Sequence, residues 1–271
     1  MKKGRWAYFS IALILLAIFL YWKSHSVSYH VPLTVLFDQS DFPIVEAKIE
    51  EKIYPLKVHL GSKFELALEP DALASFAPIK TVSYLDEKGK RHECPEYNLS
   101  NLSLDSLKFC NLSVIEHSNG VGSIGRPLLS KMNLLFDFNN SLIIASNSFR
   151  QLKEDGYDLS TYLKVPLEIT SKGIFLKIET DFGVQNFFLN TGASRTALKK
   201  PSLSKASAIT SERFVIQKHN FGPINLSLLE IPDALENVEG FLGVDFFKKH
   251  IIYLDWSKRY AYIQPTPHSN P

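Results

Sequence analysis

Asn190-Thr191-Gly192-Ala193-Ser194 decides how this chain is read. It follows the apolar stretch Phe187-Phe188-Leu189, so a strand runs straight into a turn of small and hydroxyl-bearing residues. Gly192 and Ala193 let another backbone come close. Thr191 and Ser194 carry hydroxyls that bond nearby backbone groups. Further on comes Gly240-Phe241-Leu242-Gly243-Val244-Asp245-Phe246-Phe247, then the apolar run Ile251-Ile252-Tyr253-Leu254-Asp255.

Working outward, the same order of features occurs earlier in the chain, an internal repeat. Val165-Pro166-Leu167-Glu168-Ile169 starts a strand and Ile174–Glu179 is another; a turn at Asp181-Phe182-Gly183 leads into Gln185–Leu189 and the Asn190 turn. In the first copy, Phe42–Glu50 reads as a strand, and Tyr54–Val58 runs into His59-Leu60-Gly61-Ser62. Setting Gly61 against Gly192 places His59 opposite Asn190. Val121–Leu129 then parallels Glu239–Phe247, which matches Ile124-Gly125 with Leu242-Gly243. The stretch after each apolar-Gly pair is expected to be the single short helix of its lobe. A hairpin follows in both copies, Asn133–Ile144 and His250–Ile263, each with an Asp ending the first strand.

The strand, the Asn190–Ser194 turn and the Leu242-Gly243 pair together resemble the retropepsin-like and pepsin-like aspartic proteases. Their signature is an apolar strand, Asp-Thr-Gly-Ala-Ser, and later an apolar-apolar-Gly segment. The resemblance spans nearly all of the chain beyond its N-terminal apolar segment and is more specific in the second copy. It implies an all-β fold: two retropepsin-like β-barrel lobes in tandem, related by a pseudo-two-fold axis, at residues 30–150 and 160–265. The charged stretch 151–158 is the expected linker, and residues 266–271 form a polar, Pro-containing tail. With both lobes in one chain, a monomer suffices to build the cleft.

The family's chemistry uses two carboxyls sharing a proton about 3 Å apart. One takes a proton from water while the other donates to the substrate carbonyl, and their mutual repulsion separates the two pKa values. Here the Asp position of the second lobe is Asn190, which keeps the size of Asp but cannot titrate near neutrality. The matching position in the first lobe is His59, which can ionise but supplies no carboxyl. Thr191, Gly192, Ala193, Ser194 and Gly61 are expected to support the turns, with Leu242, Gly243, Ile124 and Gly125 forming the second motif. The first lobe departs further, because Leu60 replaces the hydroxyl residue and Lys63 and Glu65 stand where small residues are usual. Glu69, Asp71, Asp137, Asp245 and Asp255 read as loop or turn-supporting carboxylates rather than substitutes for the lost acids.

The remaining composition narrows the setting. Of the 271 residues, 45% are hydrophobic and the net charge is only +2. Basic residues are scattered rather than gathered in a stripe, which argues against nucleic acid. The N-terminus reads Met1-Lys2-Lys3-Gly4-Arg5, then Trp6–Trp22 without a charge, then Lys23. That is the pattern of a transmembrane anchor at residues 6–22, with residues 1–5 cytoplasmic and the bulk of the chain exported. A cleaved signal peptide is the competing reading, though no small-x-small cleavage site stands out before Ser28. Cys94 and Cys110 would then both lie in an oxidising compartment and can be read as one disulfide or as two free thiols. Histidines and cysteines show no metal-ligand spacing, so neither a metal nor another cofactor is expected. Three functions follow: a non-cleaving protein holding an extended peptide or protein segment, an endopeptidase with a compensated acid, and a structural envelope module.

Overall fold

Alternation along each strand sets the sheets. In Pro43–Ile49, Val45, Ala47 and Ile49 are buried while Glu46 and Lys48 are exposed, as expected of a strand with one face on a core. The structure, a computed structural model, describes residues 28–85, 90–117, 120–201, 204–231 and 237–265. The expected anchor at 6–22 and the tail at 266–271 lie outside the described residues. Among the described residues no helix is long and apolar enough to cross a membrane.

The all-β expectation holds, with three sheets. In the first lobe, strand Lys52–His59 lies between Pro43–Ile49, antiparallel, and Ser123–Gly125, parallel. Ser123–Gly125 in turn pairs antiparallel with Leu66–Leu68, which pairs parallel with Leu107–Glu116. The second lobe repeats every one of these relations. Gly183–Leu189 lies between Ile174–Thr180, antiparallel, and Gly240–Leu242, parallel. Ala197–Lys199 follows antiparallel and Ile224–Leu229 parallel. The register repeats as well: Val58 is level with Ile124 in one lobe, and Leu189 with Leu242 in the other.

A six-stranded sheet joins the lobes, in the order His30–Thr34, Leu142–Ser146, Leu134–Asp137, Ile252–Asp255, Tyr260–Ile263, Leu163–Pro166. Its central pair comes from the two expected hairpins, one from each copy, with Leu135 opposite Tyr253. One face packs into the main core, where Phe136 meets Phe247 edge-on at 5.4 Å between ring centroids. The other face carries Leu135, Ile144, Tyr253 and Tyr262, and is covered by Leu152 and Leu159. Asp137 and Asp255 end their strands buried, and each accepts a backbone N–H from three residues on, Asn140 at 3.2 Å and Lys258 at 3.0 Å. They support turns, as their position suggested.

Three expectations need correction. The helices Arg126–Leu129 and Val244–Phe247 follow the apolar-Gly pairs, but Pro70–Leu73 and Phe149–Glu154 are helical too. These are one or two turns long, too short for a helical period to show. Val165–Ile169 is not one strand: it divides between Leu163–Pro166 in the joining sheet and Glu168–Ile169 in the second lobe. Cys94 and Cys110 are both free thiols, the first buried and the second exposed. Cys110 is opposite Asn101 in the ladder, and Cys94 lies on the same strand as Asn101 but well along it. At about 3.3 Å per residue their separation is on the order of 20 Å, far beyond the reach of a disulfide.

Candidate functional site

His59 and Asn190 each sit at the end of the central strand of their lobe, held by the parallel neighbour carrying the apolar-Gly pair. Both loops then make the same turn. Ser62 N donates to His59 O at 3.1 Å, and Ala193 N to Asn190 O at 3.0 Å. The short helices cap them alike, with Arg126 N on Ser62 O at 3.2 Å and Val244 N on Ala193 O at 2.8 Å. Gly125 and Gly243 lie so close to the chain at Phe64 and Arg195 that a Cβ at either position would overlap backbone atoms.

The loops meet across the lobe junction. Leu60 N donates to Thr191 Oγ1 at 2.9 Å, and Thr191 Oγ1 donates to Val58 O at 2.5 Å. Thr191 is fully buried, so both bonds are protected from water. Leu60 has no hydroxyl with which to return them. The glycines interlock reciprocally: a Cβ on Gly192 would overlap the His59 imidazole, and one on Gly61 would overlap the Asn190 side chain. Only glycine permits this approach. The structure therefore brings His59, Gly61, Asn190, Thr191 and Gly192 together, while Ala193 is half-buried in the turn and Ser194 is exposed.

Burial is the main force on the His59 ring, driving its pKa down to about 4; positive charge at Lys57 and His117 pushes the same way, and a hydrogen bond with Asn190 opposes it. At neutral pH the pair is thus an uncharged imidazole facing an amide. Asn190 Oδ1 also accepts the Gly192 N–H at 2.9 Å. The carboxylates weighed from sequence are engaged elsewhere. Asp245 Oδ1 accepts from Thr196 N at 2.7 Å, Thr196 Oγ1 at 2.6 Å and Phe246 N at 2.8 Å. Glu65, which departs from the family pattern in the first lobe, holds Ser113 N at 2.8 Å and Lys131 Nζ at 2.7 Å. Glu69 and Asp71 line a separate cavity of about 300 Å³ with Lys52 and Tyr54. Among the described residues no group of three or more His, Cys, Asp or Glu side chains could hold a metal ion.

Two residues of this region were not singled out from sequence. Lys57 stands two residues before His59, so strand alternation puts it on the same face. Its ammonium pairs with Asp38 at 3.1 Å and lies over the Phe42 ring, 4.6 Å from the centroid. Arg126 follows Ile124-Gly125 where the second lobe has Val244, and it reaches across to the other lobe. The sequence carried no signal for its role, because its partners Thr170 O and Ser171 O come from the other lobe.

The chain matches no protein-family model and no curated protein sequence. Solved structures do match. The crystal structure of an aspartic proteinase from Irpex lacteus aligns with a TM-score of 0.58 and 12% identity, covering 89% of this chain and 99% of that one. A retropepsin-like aspartic protease from Rickettsia conorii aligns with a TM-score of 0.35 and 13% identity, over 44% of this chain and 92% of that one. The first of these matches shows an aspartic-protease-like fold.

Proposed function

We propose that this protein is a membrane-anchored, exported member of the aspartic-protease fold that does not cleave. It holds an extended peptide or protein segment in the cleft between its lobes. One observation carries the reading: the two positions that face each other across the lobe junction are His59 and Asn190. Activating water between two carboxyls needs one group to accept a proton while its neighbour donates one. Asn190 can do neither near neutrality. A neutral His59 could accept a proton, but no acid stands opposite it to protonate the carbonyl oxygen. The scaffold is meanwhile intact, with paired turns, interlocked glycines and the Thr191 bridge. An extended segment entering such a cleft is recognised by backbone pairing together with side-chain pockets.

The test is to incubate the full-length protein, purified in detergent, with a diverse peptide pool between pH 3 and 7. The expected result is retention of some peptides without new termini. Pepstatin-sensitive cleavage by the wild-type chain would overturn the proposal.

A further inference from the structure

Arg126 is nine-tenths buried, yet among the described residues its guanidinium meets backbone carbonyls of the other lobe rather than a carboxylate. Nη1 donates to Thr170 O and Nη2 to Ser171 O, each at 2.8 Å. Both carbonyls belong to the turn between Glu168–Ile169 and Ile174–Thr180 in the second lobe. A cation is rarely buried without strong reason, and carbonyl oxygens are the partners that make it tolerable here.

Each end of this bridge is tied to the site. At its root, Arg126 N donates to Ser62 O, inside the His59 loop. At its tip, the turn is stiffened by Thr170 Oγ1, which accepts from Lys172 N at 3.1 Å and Gly173 N at 3.2 Å. Gly173 lies against the ring of Phe188, so closely that a Cβ there would overlap it. Phe188 lies one residue before the end of strand Gly183–Leu189, which leads directly into Asn190. Contacts thus run from the His59 loop through Arg126 and the 170–173 turn to Phe188, two residues before Asn190 in the chain. A second bridge runs the opposite way. Lys248, just after the second lobe's short helix, pairs with Asp41 at 2.6 Å and lies over Phe37, 4.3 Å from the ring centroid. That pair is largely open to water on the Asp41 side and correspondingly weak.

We propose that Arg126 is a positioning residue: it fixes the spacing between the lobes, so that His59 meets Asn190 and the cleft is pre-formed before any ligand arrives. The inference takes His59 and Asn190 as the working site. Its test needs no ligand, so it stands or falls separately from the non-cleaving reading.

The full-length protein in detergent is spin-labelled at Cys110, which is exposed in the first lobe, and at a cysteine replacing exposed Lys218 in the second, with Cys94 changed to serine. Pulsed electron double resonance is expected to give one narrow distance for wild type, and a distribution at least about twice as wide for R126A. R126K keeps a charge and can satisfy one carbonyl, so it should fall between them. R126Q serves in place of R126A if the latter does not fold. The second readout is the imidazole resonance of His59, assigned with H59Q. In the folded Gln or Ala variant, its titration midpoint should rise by about one pH unit or more as water reaches the ring, with R126K restoring part of the change. Unchanged distances together with an unchanged His59 titration would overturn the assignment.

Discussion

The two site loops share a backbone and differ in side chains. His59–Ser62 and Asn190–Ala193 close with the same hydrogen bond, sit beside the same kind of parallel neighbour and carry their glycines at matching places. The second loop still sends a threonine hydroxyl across the junction; the first answers with Leu60, which lends its N–H and nothing more. The comparison separates two kinds of constraint. The turn is fixed by strand register and by the closeness of two backbones, and those are maintained in both lobes. The groups that would perform chemistry project into the junction, where an imidazole and an amide stand in place of two carboxyls.

The strongest way to break the comparison is to restore both acids. Converting His59→Asp and Asn190→Asp together should produce pepstatin-sensitive peptide cleavage in mild acid, at a rate at least about 10³-fold above either single variant, because a shared-proton pair is lost when either member is missing. Initial rates on a fluorogenic peptide pool measure this. A double variant that folds and stays silent would mean that the junction has drifted beyond its side chains.

The asymmetry of the bridge comes next. Thr191→Val keeps shape but strands Leu60 N and Val58 O without their partner in a dry junction, and should cost about 2–4 kcal/mol. Gly192→Ala pushes a methyl into the His59 ring and should cost about 1–3 kcal/mol. Denaturant titration monitored by fluorescence reports both. A near-zero effect of Thr191→Val would show that the one-sided bridge contributes nothing.

Acid should act through two histidines, His250, which is buried, and His59, which is partly so. Burial leads in driving His59 down to about 4, and likewise His250, which lies between Phe221 and Phe246 with Lys249 and His219 nearby. Unfolded, each titrates near 6.5. Above that value both states are neutral and stability is complete. Between about 6.5 and 4 the unfolded chain takes up protons that the folded chain refuses, so stability falls as pH falls. Each pH unit between the folded and unfolded titrations is worth at most about 1.4 kcal/mol. Discounted for the part of His59 that still meets solvent, the loss is of the order of 1–2 kcal/mol for His59 and somewhat more for His250. H250F should flatten the pH dependence of the denaturation midpoint more than H59Q.

How much of this could be read in the chain follows from the same division. The repeat, the pairing of Gly61 with Gly192 and the opposition of His59 and Asn190 were legible, because turns and apolar-Gly pairs are local and keep their order. The joining sheet was not legible as a unit. Its central strands, Leu134–Asp137 and Ile252–Asp255, were recognisable as halves of hairpins, but nothing local says that the hairpins pair with each other. The single strand expected over Val165–Ile169 failed although Pro166 is a local break signal, because only the partners in the two sheets show that the chain changes sheet there. Thr191 was seen as a turn support; its reach to Val58 and Leu60 depends on the lobes docking. Arg126 looked like any helix-starting residue until the 170–173 turn arrived beside it.

The weakest expected effect concerns the exposed bridge. Lys248 and Asp41 link the lobes in the direction opposite to Arg126, with Asp41 65% exposed. An ion pair in that setting is screened and costs side-chain entropy to hold, so Lys248→Ala should lower stability by about 0.5 kcal/mol, a little of it from the lost contact with Phe37. The effect should shrink further in about 0.5 M salt, whereas a Thr191→Val loss should not change, because the threonine bonds are neutral and sealed from solvent. Measuring both variants at low and high salt therefore sorts the contacts between the lobes into those that water has already weakened and those that define the junction. A Lys248→Ala cost as large as that of Thr191→Val would place the exposed side of the junction, and not its buried centre, in control of how the lobes sit.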